Sequence, residues 1–337
     1  MAQFDCQLNE EESEALTGEK LNSSTEKKVD EHCAMCQIYK MPLVTFKDAG
    51  GDTIRFMEVD GTCYPYISQI DQETAIRAAA GAKARDDDVL LITYPKSGTH
   101  WMWEVLSMLK IGKAETIPKV KQTSMIEAIS EENCASIPSP RVLNAHFRFD
   151  QIPKDMKEKR TKVVLCHRNP KDVAVSLYNH HFKINAVFDY NGTWDNWFPL
   201  FCKGNVDYGS WFDYVLDWEK AINENPEYPI HLMFFEDMKE DSFRQVKKLA
   251  KFLELQRTDD LCHAIAEKCK FENMKTDKVG LDNEFWLGIW RDKKNGFYRK
   301  GTVGDWKNAF SVAQNEQFDR LYETKMANSK LKFRFEL

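Results

Sequence analysis

The stretch VLLITYPKSGTHWMWEVLSMLK, residues 89–110, decides the fold class. Its first part, Val89–Tyr94, is an unbroken run of apolar and β-branched residues, the pattern of a strand covered on both faces in a parallel sheet. Its last part places Trp101, Val105, Met108 and Leu109 at helical spacing. Between them, Pro95-Lys96-Ser97-Gly98 turns strand into helix, so backbone N–H groups and the positive end of the helix dipole converge beside the Lys96 ammonium. This is chemistry for holding a phosphate or a similar anion. The glycine-rich GxxxxGK[ST] arch of nucleoside triphosphate enzymes is missing, because LITYP precedes Lys96, which counts against a kinase or GTPase.

Two similar units follow. KVVLCHR (162–168) leads into NPKDVAVSLYNHHF, where Pro170 suits a first helical turn. IHLMFF (230–235) leads into a segment whose Met238, Phe243, Val246, Leu249, Ala250 and Leu253 form one apolar face. Strands separated by helices predict an α/β fold, a single domain over residues 41–337 with a central, mostly parallel β-sheet flanked by helices. WDNWFPLFCKG (194–204) and GSWFDYVLDWEKAI (209–222) are aromatic helical stretches suited to packing over that sheet or lining a pocket. Lys275–Asn295 mixes charges, glycine and aromatics without a period and predicts a flexible lid. Residues 1–40, rich in Glu, Lys, Ser and Asn, predict a mobile tail. Cys33-Ala-Met-Cys36 within it has no second pair nearby with which to hold zinc, and chance accounts for the spacing.

With 337 residues, 42% of them apolar, the chain can bury a continuous core, and 21 Phe and 9 Trp supply an aromatic pocket. A net charge of −6 argues against coating a nucleic acid, whereas a small anion needs only local cations. Nine scattered cysteines, odd in number, and an N-terminus MAQFDCQLNE without a basic-then-apolar leader predict a reducing, cytoplasmic location. Apolar runs such as Val89–Ile92 fall far short of the roughly 20 residues that span a bilayer, so no membrane anchor is expected.

TYPKSGTHW (93–101) resembles the 5′-phosphosulfate loop of the cytosolic sulfotransferases, a family whose fold is related to nucleotide kinases and whose nucleotide is 3′-phosphoadenosine 5′-phosphosulfate (PAPS). HRNPKDVAVSLY (167–178) resembles the family's 3′-phosphate motif, with Arg168 and Ser176 as the gripping residues. RKGTVGDWKNAF (299–310) is similar to its C-terminal motif RKGxxGDWKN, in which Arg299, Lys300 and Gly301 close over the same phosphate. Those residue types suit the task, since a guanidinium makes paired charged hydrogen bonds to phosphate and glycine lets the backbone approach closely. The resemblance covers about residues 50–337. It implies a P-loop-kinase-like sulfotransferase fold, PAPS as co-substrate and PAP as product, no metal, and a small hydrophobic hydroxyl or amine acceptor. It also implies donor contacts from Lys96, Ser97, Gly98, Thr99 and His100, the last where relatives often carry Thr or Asn. Adenine is expected between Trp101 and Phe271, with Phe297 near. Tyr208 in DYGSW matches a family Tyr that bonds the adenine amine. Before Phe271 the family's Thr-Ser is replaced by Cys269-Lys270.

His146 in SPRVLNAHFRF aligns with the family's LKTHLP segment, which implies that its neutral imidazole takes the acceptor proton while Lys96 neutralises charge on the departing phosphate oxygen. The family's Lys two residues before that His is Asn144 here. Asn brings no charge, which leaves three accounts open: a slower reaction, another cation in its place, or a different acceptor pose. His180-His181 falls where relatives place an aromatic pocket wall and predicts lining or surface rather than metal binding. KNAFSVAQNE (307–316) resembles the family's dimer motif KxxxTVxxxE, with Lys307, Val312 and Glu316 matching and Ser311 in place of Thr, and implies a homodimer. Two functions stand at this point: a PAPS-dependent sulfotransferase, or a PAPS/PAP-binding protein with little or no transferase activity.

Overall fold

The computed structural model describes residues 43–67, 71–285, 288–291 and 297–337; the expected tail and its Cys33 and Cys36 lie outside them. Three short strands, β1 (Leu43–Lys47), β2 (Thr53–Val59) and β3 (Thr62–Tyr64), pair antiparallel in the order β1-β2-β3. A second sheet holds β4 (Val89–Thr93), β5 (Val142–Ala145), β6 (Lys162–His167) and β7 (Ile230–Phe234) in the order β5-β4-β6-β7. All of its pairings are parallel, with Val89 opposite both Val142 and Lys162, and Val163 opposite Ile230. The predicted parallel sheet is therefore present, and the antiparallel sheet is an addition to it.

Alternate residues of β4 feed different cores, as the two-residue period of a strand requires. Leu90 and Ile92 join a cluster with Leu143, Leu165, Trp197, Trp211 and Trp218, while Val89 and Leu91 join one with Val105, Leu109, Val246 and Ile265. The helices that supply these layers are α1 (Thr99–Ile111), α2 (Pro170–Lys183), α3 (Trp194–Lys203), α4 (Trp211–Glu224), α5 (Ser242–Phe252) and α6 (Asp259–Lys268). The aromatic stretches in α3 and α4 are core: Trp197, Trp211 and Trp218 are fully covered. Burial of such side chains stabilises by about 2–3 kcal/mol each.

The segment expected as a lid is helical in its first half, α7 (Phe271–Phe285). Its buried positions are Met274, Lys278 and Asp282, four residues apart, so two of the three are charged and an apolar period never shows. Lys278 is satisfied by Glu104 at 2.5 Å and by the carbonyl of Ile117 at 2.7 Å. Of the rest of that segment, residues 286–287 and 292–296 lie outside the described ones. Last comes α8 (Val312–Met326), capped by Ser311, whose hydroxyl accepts from the Gln314 N–H in a capping box.

Candidate active site

The chemistry-bearing turns follow the C-terminal ends of the parallel strands: Pro95–Gly98 after β4, His146 after β5, Arg168 after β6 and Phe235 after β7. Because β4 lies between β5 and β6, chain connections diverge there and open a crevice at those ends. The predicted site residues all line one cavity in that crevice, except Ser97, which is buried in the loop.

The loop after β4 is bent sharply, with Lys96 at φ +66° and Gly98 at φ +103°. A Cβ on Gly98 would lie 2.9 Å from Phe235 Cδ2, so no side chain fits there without displacing that ring. A left-handed lysine costs energy and is characteristic of functional turns. Thr99 is held by a 2.7 Å hydroxyl contact to Thr93. Ser97 Oγ, Arg168 Nε and Arg299 Nε are buried without partners, three orphaned groups that a bound anion would satisfy. Lys96 makes no ion pair among the described residues; its ammonium lies 3.4 Å from His180 Nδ1. Burial pushes Lys96 down to about 7, and the charges of Lys121, Arg299 and Arg168 push the same way.

Arg168 joins the three motifs physically. Its guanidinium donates to the carbonyl of Lys96 at 3.1 Å and to that of Thr302 at 2.9 Å, and lies 4.2 Å over the Phe235 ring. Asp172, in the first turn of α2, accepts the N–H groups of Gly304 and Trp306 at 2.9 and 3.0 Å and so ties down the C-terminal segment. Arg299 and Lys300 each pair with Asp305 at 2.6 Å. At Gly301, φ is +64° and a Cβ would lie 2.2 Å from Phe271 Cδ2, so the backbone packs directly on that ring.

His146 is buried, and its Nδ1 lies 2.7 Å from the Thr93 carbonyl oxygen. A carbonyl only accepts, so Nδ1 carries the proton and Nε2 keeps its lone pair. The backbone N–H of His146 donates to Glu127 Oε1 at 2.8 Å. Burial holds the imidazole well below its ordinary range, and the positive charge of Lys121 deepens the effect, so it is neutral at pH 7.

Residues 86–330 match the sulfotransferase domain. The chain belongs to the sulfotransferase family. It is 37% identical over 270 residues to sulfotransferase 1B1 of the dog Canis lupus familiaris, across 75% of this chain and 88% of that one. Human sulfotransferase 1C2 is 32% identical over 297 residues, across 85% and 98%. Among solved structures, mouse sulfotransferase SULT7A1 complexed with PAP superposes with a TM-score of 0.67 at 32% identity, covering 81% of this chain and 96% of that one. The chain is accordingly a sulfotransferase enzyme, and its chemistry is sulfuryl transfer.

Aromatic rings and histidines pack closely around the cavity of this sulfotransferase. Tyr208, matched above to an adenine contact, packs edge-on against His146 at 4.9 Å and against Tyr64 at 5.2 Å, on the side of the proposed base. The aromatic beside Trp101 is Phe235, edge-on at 5.4 Å. His180 lines the cavity, whereas His181 is fully buried, donating from Nε2 to Asp207 at 2.7 Å and accepting from Trp197 at 3.0 Å. No His/Cys/Asp/Glu cluster able to hold a metal occurs among the described residues. Sequence reasoning missed Phe235, Asp207 and Lys121, which all line the cavity. Only Phe235 carried a signal, at the end of the predicted strand IHLMFF.

Proposed function

We propose that this sulfotransferase binds PAPS and moves its sulfuryl group to a hydroxyl or amine of a small hydrophobic acceptor, releasing PAP. The observation that carries the proposal is that one cavity brings Lys96, Arg168 and Arg299 together with a neutral His146. The orphaned Ser97, Arg168 and Arg299 groups suit the phosphates of such a nucleotide, and Trp101, Phe271 and Phe235 suit its base. Bound there, PAPS supplies an activated sulfuryl group. His146 orients Nε2 towards the acceptor and takes its proton, while Lys96 places positive charge beside the departing phosphate oxygen. Thr99, His100, Ser176, Lys300 and Gly301 line the same cavity, which supports assigning them to the donor site. Ile184, Val187 and Phe188 add an apolar wall, which suits a hydrophobic acceptor.

The deciding experiment is transfer of labelled sulfate from PAPS across a panel of phenols, sterols, alcohols and amines, with wild type and His146→Ala. Sulfated product from wild type, lost in the variant, is the expected result. PAP binding without transfer to any acceptor would instead make the chain a PAPS/PAP-binding protein. Unaltered transfer by His146→Ala would remove the base from the scheme.

A homodimer through Lys307–Glu316 and a cytoplasmic location are part of the same proposal. Val312 in that segment is 77% exposed, an apolar side chain suited to a subunit contact. Sedimentation of wild type and Val312→Asp tests the dimer, the variant being expected to sediment as a monomer. Among the described residues no helix is long and apolar enough to cross a membrane.

A further inference from the structure

Asn144 occupies the position where a second positive charge was expected, and its surroundings show where that charge has gone. Asn144 is fully buried on β5, and its side-chain amide donates to the Lys121 carbonyl at 2.9 Å and to Ser124 Oγ at 3.1 Å. Its main-chain carbonyl oxygen accepts the Ile126 N–H at 3.0 Å. The segment Lys121–Glu127 is thereby clamped alongside β5, next to the base, and its far end, Glu127, accepts the backbone N–H of His146.

From this clamped turn Lys121 reaches into the same cavity as Lys96 and His146. It is 5% exposed. Among the described residues it makes no ion pair, and its ammonium donates to the Met125 thioether at 3.3 Å, a weak acceptor. A buried ammonium without a counter-ion is costly unless something else supplies negative charge. Its two acidic neighbours do not fill that role by contact. Glu127 points one oxygen at the His146 backbone, and Asp282 has both oxygens buried without a hydrogen-bond partner.

We propose that Lys121 is the second cation of the transfer centre, placing its ammonium against the sulfuryl oxygens and so carrying from another element the charge that Asn144 lacks. The inference rests on the sulfuryl-transfer reading above. In the step, the acceptor oxygen or nitrogen forms a bond to sulfur and its proton passes to His146 Nε2. The bond from sulfur to the 5′-phosphate oxygen breaks, and its electron pair leaves with PAP. Lys121 keeps its proton throughout and acts by charge, as fixed cations do in phosphoryl transfer. Burial brings Lys121 down to about 8, with Glu127 and Asp282 pulling it back up, so the ammonium persists at pH 7. Asn144 is on this view a positioning residue, holding the backbone from which Lys121 projects.

The test moves the charge and follows the rate. Lys121→Met is expected to lower kcat by about 10²-fold, the scale for removing one transition-state stabiliser. PAP affinity, measured by calorimetry, should change much less. Lys121→Arg should retain a larger share of kcat than Lys121→Met. The double variant Lys121→Met/Asn144→Lys, which restores a cation two residues before the base, should recover at least tenfold of the loss. Wild-type kcat in Lys121→Met would overturn the inference while leaving the sulfotransferase reading intact. So would equal losses in kcat and PAP affinity, or a double variant no faster than Lys121→Met while its melting temperature is unchanged. No transfer by the wild type itself would overturn the reading, and this inference with it.

Discussion

The Nδ1 atom of His146 lies 2.7 Å from the main-chain carbonyl oxygen of Thr93, and that contact fixes which ring nitrogen can take a proton. The carbonyl belongs to the last residue of β4, directly before the anion loop, so His146, the proposed base, is tied to the backbone that enters the loop. His146→Ala removes the proton acceptor without touching Lys96, Arg168 or Arg299. Turnover should fall by about 10²–10⁴-fold, with the affinity for PAP within about threefold of wild type. Steady-state kinetics and calorimetry together check this; a parallel fall in PAP affinity would count against a role confined to proton transfer.

Lys96 at about 7 and Lys121 at about 8 both titrate in a range where enzymes are routinely assayed. Their values are lowered by burial in the ligand-free protein, so each is charged below its own value and loses its proton as the pH rises through it. A bound phosphate favours the charged form of Lys96 and raises its value, whereas Lys121, assigned to sulfuryl oxygens that PAP lacks, contributes little to PAP binding. PAP binding is therefore strongest below about pH 7 and weakens between pH 7.5 and 9, a window above the second ionisation of the phosphates at about 6. Binding in this window should take up protons, seen as a dependence of the observed heat on the buffer's ionisation enthalpy. Lys96→Met should cut that uptake. Affinity that does not change with pH over the window would refute the linkage.

At Gly301 the backbone lies so close to the Phe271 ring that a Cβ would stand 2.2 Å from Cδ2, and φ is +64°. Gly301→Ala thus combines a left-handed alanine, worth about 1 kcal/mol of strain, with displacement of either the ring or the segment carrying Arg299 and Lys300. PAP affinity should fall by tenfold or more while the melting temperature moves by only a few degrees. The converse, a large loss of stability with unchanged affinity, would place Gly301 outside the donor site.

How far the sequence reveals this molecule depends on which residues are buried. β4, β6 and β7 are legible because strands covered on both faces read as unbroken apolar runs, and the glycine-bearing turn at Lys96–Gly98 stands out against them. Of the antiparallel strands, β1 and β3 are short and only partly covered, and in β2 the adjacent buried residues Phe56 and Met57 break the alternation. α7 hides for the opposite reason. Two of its buried positions, Lys278 and Asp282, are charged, and Lys278 is neutralised by Glu104 from α1, 174 residues earlier in number, a pairing visible only in three dimensions. Lys121 reads in sequence as one more solvated lysine in PKVKQTS, because nothing local says that Asn144 anchors its backbone against β5. Phe235 escapes notice for a related reason: a motif gives order along the chain, while the strand ends set Phe235 beside Trp101 and Tyr208 beside His146.

A buried ion pair joins two strands of the sheet at their starts, the end away from the cavity. Arg141 and Asp88 immediately precede β5 and β4, with side chains 2% and 0% exposed, and they meet through two contacts of 2.6 and 2.8 Å. Arg141 also donates to the carbonyls of Cys134 at 2.8 Å and Lys83 at 2.7 Å, so one guanidinium fastens both strand entries, the short helix Glu131–Ser136 and the loop at Lys83. Removing it leaves the Asp88 carboxylate buried without its counter-charge, which costs about 3 kcal/mol or more. Arg141→Ala should lower unfolding stability by that amount in urea titration, and PAP affinity of the folded fraction should stay near wild type because the pair lies at the strand starts, away from the loops at their ends. Asp88→Asn added to Arg141→Ala should cost less than the sum of the two single changes, since the orphaned charge is then gone. Additive losses, or a single-variant loss below about 1 kcal/mol, would show that the pair does not hold the two strands together.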